Sequence, residues 1–223
     1  MKTILVTGAN RGIGLALTRA FRARGDAVIA VCRRSSDALE ATGAQVEPGI
    51  DVTDGDALDA LARRLSDVRI DTLVLNAGVL ERESLGDIDA AGFDSMRRQF
   101  EVNALGPLRV AQALLDHLAD GAKVGIVTSR MGSVADNGSG GRYGYRASKA
   151  AVNAIGKSLA VDLQPRGIAV FLLHPGYVAT DMVGGTGDVS PEQAAAQLVE
   201  RLDGLTLEQT GTFWHANGSP LPW

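Results

Sequence analysis

Thr3-Ile4-Leu5-Val6-Thr7-Gly8-Ala9-Asn10-Arg11-Gly12-Ile13-Gly14 passes from an unbroken apolar run into three closely spaced glycines. A short apolar run that does not alternate and stops at a glycine reads as a strand buried on both faces. Beyond the glycines, Ile13, Leu15, Ala16, Leu17, Ala20 and Phe21 recur at helical spacing until Gly25 closes the pattern. A strand that feeds a helix through such a turn suits a pyrophosphate. The glycines let backbone approach the ligand, and the helix start offers free amides and a positive dipole end. Gly8, Asn10, Arg11, Gly12, Ile13 and Gly14 are therefore candidate nucleotide-binding residues.

Working outward, the same alternation continues. Strands are predicted at 27–31, near Val46, at 72–75, 123–128, 169–173 and 212–214. Between them lie a weak helix at 36–42, helices at 54–65 and 145–163, and a long helical region at 90–118. A last helix runs to about Leu202, opened by Ser190 as N-cap and Pro191 at the first helical position. Alternating strands and helices give an α/β fold, because each right-handed crossover in a parallel sheet needs a covering helix. The expectation is a single-domain Rossmann fold over residues 1–223, a doubly wound parallel sheet of about seven strands with helices on both faces. No repeat, linker or low-complexity tract suggests a boundary.

Composition narrows the function. The chain has 223 residues, 45% hydrophobic and 22% charged, with a formal net charge of −4. That balance favours neither nucleic acid nor an anionic membrane surface as a partner. The single cysteine, Cys32, excludes an intramolecular disulfide and fits a reducing compartment. The apolar start is cut off by Gly8, too early for a signal peptide, so a cytoplasmic location is expected. His117, His174 and His215 lack metal-ligand spacing, and no metal site is assigned. His174 reads as a packing residue at a strand end.

In a doubly wound sheet, ligands sit beyond the carboxyl ends of the strands. After the second strand, an NAD site would present an acid to the ribose 2′-hydroxyl. Here Cys32 occupies that place and Arg33-Arg34 follow, with Arg11 as a third cation. Guanidinium groups bind a phosphate bidentately, so NADP(H) is the expected cofactor and Arg33 the leading 2′-phosphate ligand. Asp51-Val52, Asn76-Ala77-Gly78, Ser129 and Pro175-Gly176 also stand just past strands. Tyr145 and Lys149 are four apart, hence on one face of a helix. An ammonium there would favour phenolate, bringing a pKa near ~10 towards neutrality. Tyr143 has only Ala147 four residues on and offers no such pair.

Taken together, Thr7-Gly8, Gly12 and Gly14, Asp51, Asn76-Ala77-Gly78, Asn103, Ser129, Tyr145 with Lys149, and Pro175-Gly176 resemble the short-chain dehydrogenase/reductase family. Within it, Ser129–Ser133, Tyr145–Lys149 and the final Gly218–Trp223 are similar to C-factor-like and sniffer-like carbonyl reductases. The resemblance implies that Tyr145 is the general acid or base and that Lys149 tunes it and holds the nicotinamide ribose. It also implies that Ser129 bonds the substrate oxygen and that Asn103 anchors a water in a proton relay. Asp51 and Val52 would flank adenine, with Asn76, Ala77 and Gly78 near the adenosine ribose. Pro175, Gly176, Val178 and Thr180 would lie along the nicotinamide, Thr180 on its carboxamide. The stretch from Ser129 to Tyr145 is longer than is usual in the family, which makes Ser133 a rival. Ser129 is preferred because it directly follows its strand.

The segment between Thr180 and Ser190 is short and glycine-rich, so an open pocket is expected, with Leu80, Met131, Asn137, Tyr177 and Met182 as walls. The resemblance implies a small carbonyl or alcohol substrate, and a homodimer or homotetramer through the long helices. The alternative reading is a dinucleotide-binding sensor or signalling protein with incidental turnover.

Overall fold

Residues 1–223 are all described in a computed structural model. Seven strands form one wholly parallel sheet in the order β3-β2-β1-β4-β5-β6-β7. They are β1 (Thr3–Thr7), β2 (Ala27–Val31), β3 (Gln45–Glu47), β4 (Ile70–Leu75), β5 (Leu118–Val127), β6 (Ala169–His174) and β7 (Thr212–His215). The order reverses between β1 and β4, the switch point where open sheets of this class bind ligands.

Two apolar cores explain why the strands carry unbroken hydrophobic runs. Side chains alternate across a strand, so Leu5 packs on one face of β1 while Ile4 and Val6 pack on the other. The first face is covered by α3 (Gly55–Arg64), α5 (Gly106–Ala113) and α6 (Tyr143–Leu163), through Leu58, Val110 and Val152 among others. The second is covered by α1 (Gly12–Ala23), α2 (Asp37–Glu40) and α7 (Pro191–Gly204), through Leu17, Leu39 and Leu198. No helix is long and apolar enough to cross a membrane.

The predicted helix ends agree closely with those observed. Ser190 and Gln193 form a reciprocal capping box, and Asp54 accepts from the Ala57 N–H at 3.1 Å. The long helical region at 90–118 is a correction. It divides into α4 (Ala90–Phe100), a wide π turn (Glu101–Leu105), α5 and a 3₁₀ turn before β5 starts at Leu118. Pro107 has no N–H for the carbonyl of Asn103 four residues earlier, so the α-helical ladder cannot pass through this point.

Lys123 on β5 was not singled out by the sequence, yet it closes α7. Its ammonium donates to Leu202 O at 2.6 Å, Asp203 O at 2.9 Å and Leu205 O at 2.7 Å. At the other sheet edge, the segment after β7 turns back. Leu221 N–H donates to Phe213 O, and Trp223 stacks on Phe213 with ring centroids 5.6 Å apart.

Candidate active site

A cleft of about 750 Å³ opens along the carboxyl ends of the strands. Apart from the rival Ser133, every residue named above as a cofactor or catalytic candidate lines it except Gly14 and Asn103. Those two act from behind. A Cβ on Gly14 would stand 2.2 Å from Gly8 O, so only glycine lets α1 approach the turn. Gly8 and Gly12 take left-handed conformations, φ +66° and +52°. Arg11 caps α1 without a side-chain hydrogen bond and no acid occupies the first turn, so the helix start keeps free donors for an anion.

The turn is held from the neighbouring strand. Thr7 Oγ1 accepts from the N–H groups of Asn76 (3.0 Å) and Ala77 (3.1 Å). The Asn76 side chain donates to Thr7 O at 3.0 Å and Gly8 O at 3.3 Å. Asn76 thus lines the cleft while its amide braces the glycine turn. At the end of β2, Cys32 is buried and Arg33 stands 3.8 Å from Asp51, an exposed pair. Arg11 departs from expectation. Its exposed guanidinium lines the cleft but already pairs with Asp181 at 3.5 Å, on the segment after Thr180.

At the other end of the cleft stand Ser129, Tyr145 and Lys149, all nearly buried. Lys149 Nζ donates to Val127 O at 2.9 Å and lies 5.8 Å from the centre of the Tyr145 ring. Burial lowers the lysine pKa from 10.5 to about 8. Tyr145 corrects the expectation of a phenol brought down by its lysine. Burial dominates and holds its pKa above the ordinary value, while the opposing pull comes from the Ser129 hydroxyl and the Arg142 charge.

The two serines part company. Ser129 faces the cleft, its Oγ accepting from the Met131 N–H at 3.1 Å. Ser133 lies outside the lining, its hydroxyl donating to Trp223 O at 3.0 Å and accepting from the Asp136 N–H at 3.1 Å. Asn103, in the π turn, is buried with its amide fully used. Oδ1 accepts from Val79 N–H at 2.8 Å, and Nδ2 donates to Val79 O at 2.8 Å and Ser148 Oγ at 3.1 Å. It ties the loop after β4 to α6.

Leu80, Met131, Tyr177 and Met182 line the cleft as expected, whereas Asn137 does not; its side chain accepts from Gly140 N–H at 3.1 Å within its own loop. Sequence reading missed a set of charged lining residues, Arg130, Asp136, Arg142 and Arg146. Their signal was their position, with Arg142 and Arg146 flanking Tyr145. His174 also lines the cleft. Its ring meets His215 edge-on at 4.9 Å, and burial, with the nearby His215, holds its pKa at about 3, so it is neutral.

Known proteins match this arrangement over its length. The chain is 47% identical to 1-hydroxy-2-glutathionyl-2-methyl-3-butene dehydrogenase of Rhodococcus sp. (strain AD45), covering all of both chains. It is 45% identical to the C-signal of Myxococcus xanthus over 69% of this chain and 93% of that protein. Among solved structures, the Drosophila melanogaster carbonyl reductase Sniffer superposes with a TM-score of 0.91 at 30% identity, covering all of both chains. A short-chain dehydrogenase/reductase from Burkholderia multivorans with bound NADP gives 0.89 at 31% identity, covering 100% of this chain and 99% of that one. The family profile described as short chain dehydrogenase matches residues 2–191, the span that holds the glycine turn, Ser129, Tyr145 and Lys149. On fold, site order and profile alike, the chain belongs to the short-chain dehydrogenase family of oxidoreductases.

Proposed function

We propose that the chain is an NADP(H)-dependent oxidoreductase that interconverts a carbonyl and an alcohol, with Tyr145 as general acid and base. The observation that carries this reading is the convergence of Ser129, Tyr145 and Lys149 at one end of a cleft whose other end is the glycine turn. The residues fit a dinucleotide. The start of α1 is uncapped, and the absence of a Cβ at Gly14 lets the helix close on the turn, so its free amides are available to a pyrophosphate in the cleft. Gly8, Asn10, Gly12 and Ile13 would hold the phosphates, Arg33 the 2′-phosphate, and Asp51 and Val52 the adenine side. Asn76, Ala77 and Gly78 would border the adenosine ribose; Pro175, Gly176, Val178 and Thr180 would border the nicotinamide. Cys32 in place of an acid and Arg33-Arg34 beside it favour NADP over NAD, in line with the NADP-bound neighbour.

The nicotinamide, when bound, gives or takes the hydride. Ser129 donates a hydrogen bond to the substrate oxygen and orients it. In reduction, Tyr145 delivers the proton, and its burial-raised pKa keeps that proton in place until the oxygen becomes basic. In oxidation, Tyr145 takes the hydroxyl proton, and Lys149 stabilises the phenolate. With Pro107 removing the α-helical donor to Asn103, that carbonyl is suited to hold a relay water. Exposed Phe100, Leu108 and Val161 on α4, α5 and α6 support a dimer or tetramer through these helices. The likeness to the C-signal favours a signalling role as a second reading, and a turnover screen with NADPH and varied carbonyls separates the two.

Tyr145→Phe tests the assignment. Turnover should vanish while NADPH still binds, because the ring packs and only the hydroxyl moves a proton. A folded variant that retains turnover refutes the role of Tyr145.

A further inference from the structure

We propose that the substrate carries a carboxylate on the arm remote from its reacting oxygen, received by Arg142 and Arg146 at the substrate end of the cleft. The inference rests on the carbonyl/alcohol reading above. Both arginines line the same cleft as Ser129 and Tyr145. Arg142 is the N-cap residue of α6 and Arg146 lies in its first turn, with the Arg146 N–H donating to Arg142 O at 2.9 Å.

Arg142 is the only non-glycine residue in the left-handed region, at φ +51°. An arginine there has a backbone cost, and glycine or asparagine would sit more easily. Its N–H is anchored on Glu83 O at 3.3 Å. Its guanidinium makes one hydrogen bond, to Met131 Sδ at 3.8 Å, and has no carboxylate partner. Yet its charge reaches the Tyr145 phenol. Arg146 spends its donors on neutral acceptors, the carbonyls of Gly140 and Gly141 at 3.2 Å and Met131 at 3.4 Å, and Ser139 Oγ at 2.8 Å. Those contacts orient the group and leave its charge uncompensated.

The other guanidinium groups of the cleft are paired, except Arg34, which is exposed beside Arg33 at the β2 end and away from Tyr145. Arg130 pairs with Asp136, Arg33 with Asp51, and Arg11 with Asp181. Two unneutralised guanidinium groups therefore remain beside the reacting end, in a chain whose net charge is −4. A purely apolar carbonyl compound gains nothing from them. A carboxylate gains charge-assisted, bidentate hydrogen bonds.

The probes are 4-carboxybenzaldehyde and its methyl ester, assayed with NADPH, alongside calorimetric binding of the corresponding benzyl alcohols, which needs no turnover. The acid should be preferred roughly tenfold or more in kcat/KM and in affinity at low salt. The preference should shrink in about 0.5 M NaCl. Arg142→Asn, which suits the left-handed backbone, and Arg146→Gln should each pull the acid-to-ester ratio towards one. Arg97→Gln, on the exposed side of α4, should keep it. Equal use of acid and ester, or an unchanged ratio in Arg142→Asn, overturns the anion site while the oxidoreductase reading stands. Preferential binding of the acid with no turnover of either aldehyde sustains the site and overturns that reading. No binding of either alcohol overturns the site as well.

Discussion

Lys149→Met isolates the energetic cost of the buried ammonium. Lys149 is 5% exposed and its pKa is lowered from 10.5 to about 8 by burial. Such a lowering corresponds to about 3 kcal/mol against the charged form. At pH 7 the lysine is protonated in both folded and unfolded chains, so the fold carries that cost in full. Methionine removes the charge at similar length, and the hydrogen bond to Val127 O, worth about 1 kcal/mol, is lost with it. The net expectation is a fold more stable by about 2 kcal/mol at pH 7, or a Tm higher by roughly 4–8 °C for a chain of this size. The gain has a defined pH course. Between about pH 8 and 10.5 the unfolded wild type binds more protons than the folded one, so wild-type stability rises with pH and the gap to the variant closes. Urea unfolding at pH 7, 9 and 10.5, with protein purified free of added cofactor, measures this directly. Turnover and cofactor affinity should fall in the same variant. A variant less stable than wild type at pH 7, or a gap independent of pH, would refute the reasoning.

Ser129→Ala should lower kcat by ~10²-fold with little change in Tm, as expected for an oriented donor to developing charge. Ser133→Ala should instead cost about 1–2 kcal/mol of stability in urea unfolding and spare kcat, because its hydroxyl serves Trp223 O and Asp136 N–H. NADPH should be preferred over NADH by at least about tenfold in kcat/KM, less at high salt, since a charge-assisted contact is worth ~1.5–3 kcal/mol; Cys32→Asp with Arg33→Ala should reverse the preference, and equal use of both cofactors by the wild type counts against it. Lys123→Met should destabilise by about 2–3 kcal/mol by leaving the carbonyls of Leu202, Asp203 and Leu205 without donors, read as a lower urea midpoint.

What the sequence made legible follows short-range physics. Unbroken apolar runs marked the strands, and residues just past them marked the cleft, since a parallel sheet places its ligands there. What escaped it depends on pairs far apart in the chain. Lys123 is an ordinary strand lysine until α7 ends over it. Arg11 looked free to bind a phosphate until Asp181, 170 residues away, came beside it. The phenol of Tyr145 was judged by one charged neighbour, whereas the depth of its burial governs it. The break at Asn103 was missed, although Pro107 four residues on is a local signal against a continuous helix.

The hold of Trp223 on the Ser133 loop reaches into how the protein is made. The contact spans 90 residues, and the loop it steadies begins at Ser129. During synthesis, β1, α1 and β2 leave the ribosome early and can form the glycine turn by local pairing. The loop bearing Ser129 gains its two Trp223 O contacts, from Ser133 Oγ and the Ala135 N–H, only after β7 and the segment beyond it have emerged. A nascent chain stalled before β7 therefore lacks the last anchors of its substrate half while the strands of its nucleotide half are already present, so the substrate half is the later of the two to be completed.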